Sequence, residues 1–299
     1  MAGLAFVFSG QGDQFPGMGK DLYDQYDAAA NVFQMCDSLR PGTMEQCFFG
    51  SAEALKETKN TQPCLFAMEL AAFAVLLEKG IRPEALAGFS LGEVVAATAA
   101  GYFDYETGFR LVCKRGELMQ TEAEKYDTAM LAVVKLTPQM VKDICSKYKE
   151  IYPVNFNCPG QVSVSGLAEQ MSTFSAAVKA AGGRAVPLKV KGAFHSPFMK
   201  NAADAFALEI QKAQNKQGRV PLYSNLTALP YGEDVVSQLS RQIANPVLWE
   251  STIRNMIDAG IDTFIEIGPG KTLTNMIKKI NTQVTALTVT EYLAEDKIC

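Results

Sequence analysis

Short apolar runs that end in glycine loops alternate along this chain with longer stretches of helical spacing. Leu4–Phe8 is an apolar run leading straight into Ser9-Gly10-Gln11-Gly12, and it predicts a buried strand followed by a ligand-facing loop. Lys20–Arg40 and Thr61–Lys79 carry helical spacing. The second has a long apolar face (Leu65, Met68, Leu70, Ala72, Leu76), and Pro63 suits its first turn. After a break at Pro83, a short strand runs into Gly88-Phe89-Ser90-Leu91-Gly92 and an alanine-rich helix that closes at Gly101, and a further helix spans Tyr105–Glu124.

The rhythm then changes. Ala129–Leu136, Ile151–Phe156, Gln161–Ser165 and Arg184–Val190 read as strands, with helices at Thr137–Tyr148 and Leu167–Ala181. That order, βαββαβ, predicts a ferredoxin-like unit over residues 127–191, inserted in a larger one made of 1–126 and 192–299. From Gly192 the larger pattern resumes: a helix from Pro197 to about Gln214, a strand at Val220–Asn225, and helices near Val235–Ile243 and Trp249–Ala259. A strand at Thr263–Ile267, a helix at Thr272–Ile280 and a strand at Val284–Val289 follow. Alternating strands and helices on both sides of the insert predict an α/β fold. Its mainly parallel sheet is covered on both faces, with the active site where strands end in glycine-rich turns.

Composition narrows the functions. The 299 residues are 48% hydrophobic and 20% charged, as in an ordinary soluble globule, and a net charge of −4 argues against nucleic acid as a main partner. The first residues, MAGLAFVFSGQG, lack the basic start and cleavage site of a signal peptide, and no apolar run looks long enough to cross a membrane. Seven scattered cysteines without C-x-x-C spacing suggest neither a disulfide framework nor a zinc site, so a cytoplasmic location is expected.

The chemistry centres on Ser90. A serine on a sharp strand-to-helix turn, with glycines two before and two after, is placed to be a nucleophile, although the same turn could use it only as a helix cap. Such a serine needs a base, and the chain has one histidine, His195, in a Gly-Ala-Phe-His-Ser-Pro loop that re-enters the main sheet. An oxyanion needs donors. The N–H of Leu91 at the helix start is one, and the Gly10-Gln11-Gly12 loop supplies the N–H of Gln11 as a second.

With these pieces assembled, the chain resembles the malonyl-CoA:acyl-carrier-protein transacylase family, which includes the acyltransferase domains of polyketide synthases. The blocks that carry the resemblance include FVFSGQGDQFPGMG at 6–19, GFSLGE at 88–93, KRGELMQ at 114–120, NFNCPGQVSVSG at 155–166, GAFHSPFM at 192–199, SNLT at 224–227 and EIGPGKTL at 266–273. The resemblance implies a hydrolase-like α/β part with a ferredoxin-like insert, a Ser90–His195 dyad, and an oxyanion hole from Gln11 and Leu91. It also implies that Arg115 partners the substrate's free carboxylate and that a backbone carbonyl at Gln242 orients the histidine. Malonyl-CoA would be the substrate and the phosphopantetheine of an acyl carrier protein the acceptor, with no metal or bound cofactor, no membrane, and a monomeric enzyme. Phe89 departs from the histidine usual at that position, and Phe194 matches the malonyl-type version of its block. On residues alone, Arg115 beside Lys114 and Glu117 would pass for a solvated surface arginine. Arg184, Lys189, Lys191 and Lys200 flank the histidine loop as candidates for docking an acidic carrier protein. Two rivals stand beside this reading: a serine hydrolase or thioesterase acting on acyl thioesters, and a carrier-binding scaffold without catalysis. The mid-chain histidine and the absence of an HGGG loop speak against the hydrolase.

Overall fold

The computed structural model describes residues 3–190, 192–213, 216–232 and 234–295. Its strands are β1 (Gly3–Phe8), β2 (Ala85–Gly88), β3 (Thr128–Val134), β4 (Ile151–Cys158), β5 (Gln161–Leu167), β6 (Arg184–Pro187), β7 (Leu222–Tyr223), β8 (Ile261–Ile267) and β9 (Thr285–Thr288). Five of them form one sheet in the order β7-β2-β1-β8-β9, every pair parallel. The other four form an antiparallel sheet in the order β4-β5-β3-β6, the arrangement of a split βαβ pair expected for a ferredoxin-like unit.

Alternation along β1 shows how the large sheet is clad. Phe6 and Phe8 point to one face, edge-on to Phe73 of the helix Thr58–Glu78, while Ala5 and Val7 point to the other, against a core that includes Trp249, Ile253 and Ile277. The small sheet has its own core of Leu131, Val133, Val141, Ile144, Phe174 and Val178, under helices Pro138–Cys145 and Met171–Ala180.

Several local expectations are corrected. The stretch Lys20–Arg40 is two helices, Lys20–Gln25 and Asp27–Leu39, because Tyr26 is extended at φ −134° and ψ 122°. Pro63 is not in a first turn. The helix begins at Thr58, and the proline sits inside it, where the carbonyl one turn back loses its usual donor. That helix is also long and apolar enough to cross a bilayer, contrary to the sequence reading, but most of it is buried in the protein, as an all-round apolar helix in a large core should be. β7 is only two residues long, and helices at Thr43–Phe49 and Val289–Glu295 were not foreseen.

Candidate active site

The carboxyl ends of β1, β2 and β8 converge, and the loops that leave them build the site. Ser90 follows β2 after one intervening residue, Phe89, and caps the helix Leu91–Ala99 with φ 55° and ψ −105°. A side chain rarely adopts this backbone, which costs on the order of 1–3 kcal/mol, and it throws Oγ clear of both elements. The flanking glycines are obligatory. A Cβ on Gly88 would lie 2.0 Å from the carbonyl of Gly92, and one on Gly92 would lie 2.2 Å from the carbonyl oxygen of Phe8. The Ser90 turn is thus pressed against the end of β1 and the Gln11 loop. Neither the Gln11 nor the Leu91 amide donates to an acceptor among the described residues.

His195 lies on the other side of Ser90, with Nε2 2.7 Å from Oγ and Nδ1 2.8 Å from the carbonyl oxygen of Gln242. The Nδ1 contact is to an acceptor only, so Nδ1 carries the proton and Nε2 is free to accept one from the serine. The loop is fastened twice to the Gln242–Ala244 turn, since the His195 amide also donates to the carbonyl of Ile243 at 3.1 Å. His195 too has a left-handed backbone, φ 60°. Burial, assisted by the nearby Arg115 cation, lowers its pKa to about 4, so the imidazole is neutral across the physiological range.

Arg115 is not on a solvated face. It falls on the inward stripe of Tyr105–Ala123 with Leu111, Val112, Met119 and Glu122, and it is completely buried. Its Nη2 donates to Gln242 Oε1 at 2.8 Å and to Ser90 Oγ at 3.3 Å, while Nε and Nη1 have no partner among the described residues. Burial lowers its pKa to about 10, which leaves it charged. A fully buried guanidinium with two unpartnered donors beside the Ser90 hydroxyl is equipped to take an anionic group.

Gln242 therefore serves twice: its backbone carbonyl holds the histidine and its side-chain oxygen holds the arginine. Its Nε2 is pinned by Ser90 O at 2.6 Å and by Glu93 Oε2 at 2.7 Å. Glu93, buried, also accepts from the Asn225 amide at 2.9 Å and the Tyr231 hydroxyl at 2.7 Å, and burial raises its pKa to about 7. Glu93 and Asn225 were not singled out from sequence as site residues, although both fall in the quoted blocks GFSLGE and SNLT. A buried acid one turn into an apolar helix is the signal that could have marked Glu93.

A cavity of about 230 Å³ adjoins the turn, lined by Gln11, Phe89, Asn155, Asn157, Ser163 and Leu188. The Oδ1 atoms of Asn155 and Asn157 are buried without partners among the described residues. Leu188 also borders a larger cleft of about 740 Å³ that reaches Thr58, Gln120, Tyr126 and Lys189. Phe89, half-buried, meets Trp249 edge-on with ring centres 5.6 Å apart. Among the described residues no cluster of side chains is suited to a metal ion.

A serine paired with a neutral histidine at the carboxyl edge of a parallel sheet, with free amides on one side and a buried cation on the other, is the equipment of an acyl-transferring enzyme. The comparisons agree: residues 5–295 match the acyl transferase domain family. The chain is 38% identical to the malonyl CoA-acyl carrier protein transacylase of Bacillus subtilis, over 97% of its length and 94% of the relative's, and 36% identical to that of Escherichia coli over 97% of both. Among solved structures, the transacylase from Clostridium perfringens superposes with a TM-score of 0.95 at 35% identity, covering 99% of this chain and 96% of the other. A malonyl-transacylase solved in complex with its type II polyketide synthase acyl-carrier protein superposes at 0.93 with 34% identity and covers 96% of each chain. The chain belongs to the malonyl-CoA:acyl-carrier-protein transacylase family, and it is an acyltransferase.

Proposed function

We propose that this enzyme moves a malonyl group from malonyl-CoA to the phosphopantetheine thiol of an acyl carrier protein through an ester on Ser90. The observation that carries the reading is Arg115, a buried cation in contact with Ser90 Oγ and with two donors unspent. It suits an acyl group that ends in a carboxylate.

In the first half-reaction the Ser90 hydroxyl proton passes to His195 Nε2 while Oγ attacks the thioester carbonyl. The amides of Gln11 and Leu91 receive the oxyanion, the C–S bond breaks, and the imidazolium returns its proton to the departing thiolate. In the second, the carrier's thiol gives its proton to Nε2, sulfur attacks the ester, and Ser90 recovers its hydroxyl. The Gln242 carbonyl keeps the ring oriented throughout, taking the place of the acid in a serine-histidine-acid triad. Metals and bound cofactors have no part in this scheme.

The cavity and cleft beside the turn suit a pantetheine arm, whose amide N–H groups match the unpartnered oxygens of Asn155 and Asn157. For the carrier itself, Lys189 at the cleft and Arg184 are exposed, whereas Lys200 is already engaged with Asp204, and Lys191 lies outside the described residues. Every group invoked comes from one chain, so a monomer suffices. The six cysteines among the described residues are free thiols, which supports a reducing, cytoplasmic setting.

Intact-mass measurement after mixing with malonyl-CoA tests the reading. A stable malonyl adduct that disappears in Ser90→Ala and is discharged by holo carrier protein is expected. Steady release of free malonate without carrier would favour a hydrolase, and no adduct at all would leave only a scaffold.

A further inference from the structure

Ser90 holds a backbone conformation that it would not choose alone, and the atoms that hold it there come from a distant part of the chain. β7 pairs with β2 only at Leu86 and Ala87, so the ladder on that side stops one residue short of Gly88. Asn225, fully buried just past the end of β7, takes over where the strand ends. Its Nδ2 donates to the carbonyl of Gly88 at 2.5 Å, and its Oδ1 accepts the amide of Ser90 at 2.8 Å. One planar amide thereby replaces the next rung of the ladder with both a donor and an acceptor.

Asn225 is in turn fixed through its own backbone. Its N–H donates to Glu93 Oε1 at 2.9 Å and its carbonyl accepts from the amide of Leu248 at 2.9 Å. The loop is further tied by the Ser224 hydroxyl, which accepts from the amide of Leu226 at 3.1 Å, and by the Ala228 amide, which donates to Ser224 O at 2.8 Å. Without the Asn225 side chain, the Ser90 amide has no other acceptor among the described residues; the Gln242 Nε2 bond still holds the Ser90 carbonyl, but the amide side of the turn loses its tether and can relax toward a more ordinary conformation.

We infer that Asn225 is a positioning residue of the nucleophile: its side-chain amide spans the turn from Gly88 to Ser90 and keeps Oγ in line with His195. The inference rests on Ser90 being the nucleophile, which the wild-type and Ser90→Ala adduct masses decide separately.

Asn225→Ala is expected to lower the rate of acylation by malonyl-CoA about 100-fold, the typical penalty for displacing a reacting atom by about an ångström. Inactivation by phenylmethylsulfonyl fluoride, which needs the nucleophile but carries no carboxylate, should slow by a similar factor. The KM for malonyl-CoA and the preference for malonyl over acetyl, which depend on Arg115, should stay within about twofold.

Asn225→Asp adds a readout that general damage to the fold would not mimic. An aspartic acid reproduces both bonds only when protonated, with one oxygen accepting from Ser90 and the O–H donating to Gly88. Glu93 faces it from the helix Leu91–Ala99, with Tyr231 hydrogen-bonded to the same Oε1 that accepts from the Asn225 N–H, and His195 and Arg115 lie across Ser90. Activity of Asn225→Asp should therefore be present at low pH and fall as pH rises through the new carboxyl's pKa, while the wild type stays level between pH 5 and about 8. Should Asn225→Ala fail to fold, this profile decides alone. A wild-type rate in Asn225→Ala, a loss of malonyl preference equal to the loss of rate, or a flat profile for Asn225→Asp would overturn the inference.

Discussion

Replacing Arg115 by alanine should convert a malonyl-selective enzyme into a poor and nearly indiscriminate one. The guanidinium is fully buried and, among the described residues, only its Nη2 has a partner, so the distal carboxylate of the acyl group would take up donors left unsatisfied there. Truncating one partner of such a buried charged pair typically costs about 2–5 kcal/mol. At about 1.4 kcal/mol per decade, kcat/KM for malonyl-CoA should fall by about 30-fold to a few thousand-fold. Acetyl-CoA never makes the contact, so its kcat/KM should hold or improve. A second effect follows from electrostatics. The Arg115 cation is one of the causes that lower the His195 pKa to about 4, so removing it should raise that pKa toward the ordinary imidazole value. Because the base works only when neutral, the acid limb of the acylation profile would then move to higher pH in the variant. The assay is kcat/KM for both thioesters on both proteins, with malonyl acylation followed from pH 4 to 8. A parallel fall for the two thioesters would assign Arg115 to the fold or to the CoA moiety. An unmoved acid limb would refute the electrostatic part.

Three further outcomes are expected. In the wild type, acylation should stay level from pH 8 down to about 5 and decline only as pH approaches 4, since burial keeps His195 neutral, and His195→Ala should acylate at least about 100-fold more slowly; a midpoint near 6.5 would contradict the buried neutral base. Glu69, fully buried and bonded by Ser9, is raised well above 4.5, chiefly by burial, so the folded protein keeps a proton that the unfolded chain releases, and stability is lost as pH rises above that value. Glu69→Gln cannot ionise, so its advantage in urea unfolding should grow by up to about 1.4 kcal/mol per pH unit above pH 4.5, and a constant difference would refute the assignment. Finally, Lys189→Glu should raise the KM for carrier protein and leave acylation by malonyl-CoA unchanged; equal effects on both half-reactions would remove Lys189 from docking.

What could be read from sequence was what is local. The β1 run, the glycine-framed Ser90 turn, the single histidine and the βαββαβ rhythm each declare themselves within a few residues. Arg115 did not, because its neighbours Lys114 and Glu117 look like a solvated face. Only the spacing of Leu111, Val112 and Met119 around it shows that position 115 falls on the inward stripe. Tyr26 carries no proline or glycine to announce the break in its helix, and Thr43–Phe49 is too short for its period to register. Asn225 was invisible for a different reason. It acts 135 residues away from Ser90, by filling a gap left where a strand ends early, and no pattern along the chain encodes a gap in a ladder.

The double duty of Gln242 bears on how such an enzyme can change over evolutionary time. The atom that steadies the base belongs to the main chain, which every amino acid possesses, whereas the atom that steadies the arginine belongs to a side chain. Point substitutions at positions 115 and 242 can therefore explore other acyl groups without deleting the carbonyl that the histidine depends on. The carbonyl contact to the histidine thus outlasts drift in the specificity pocket, whereas the Gln242 side chain, which also holds Ser90 O and Glu93, ties any new substrate preference to a readjustment around the serine.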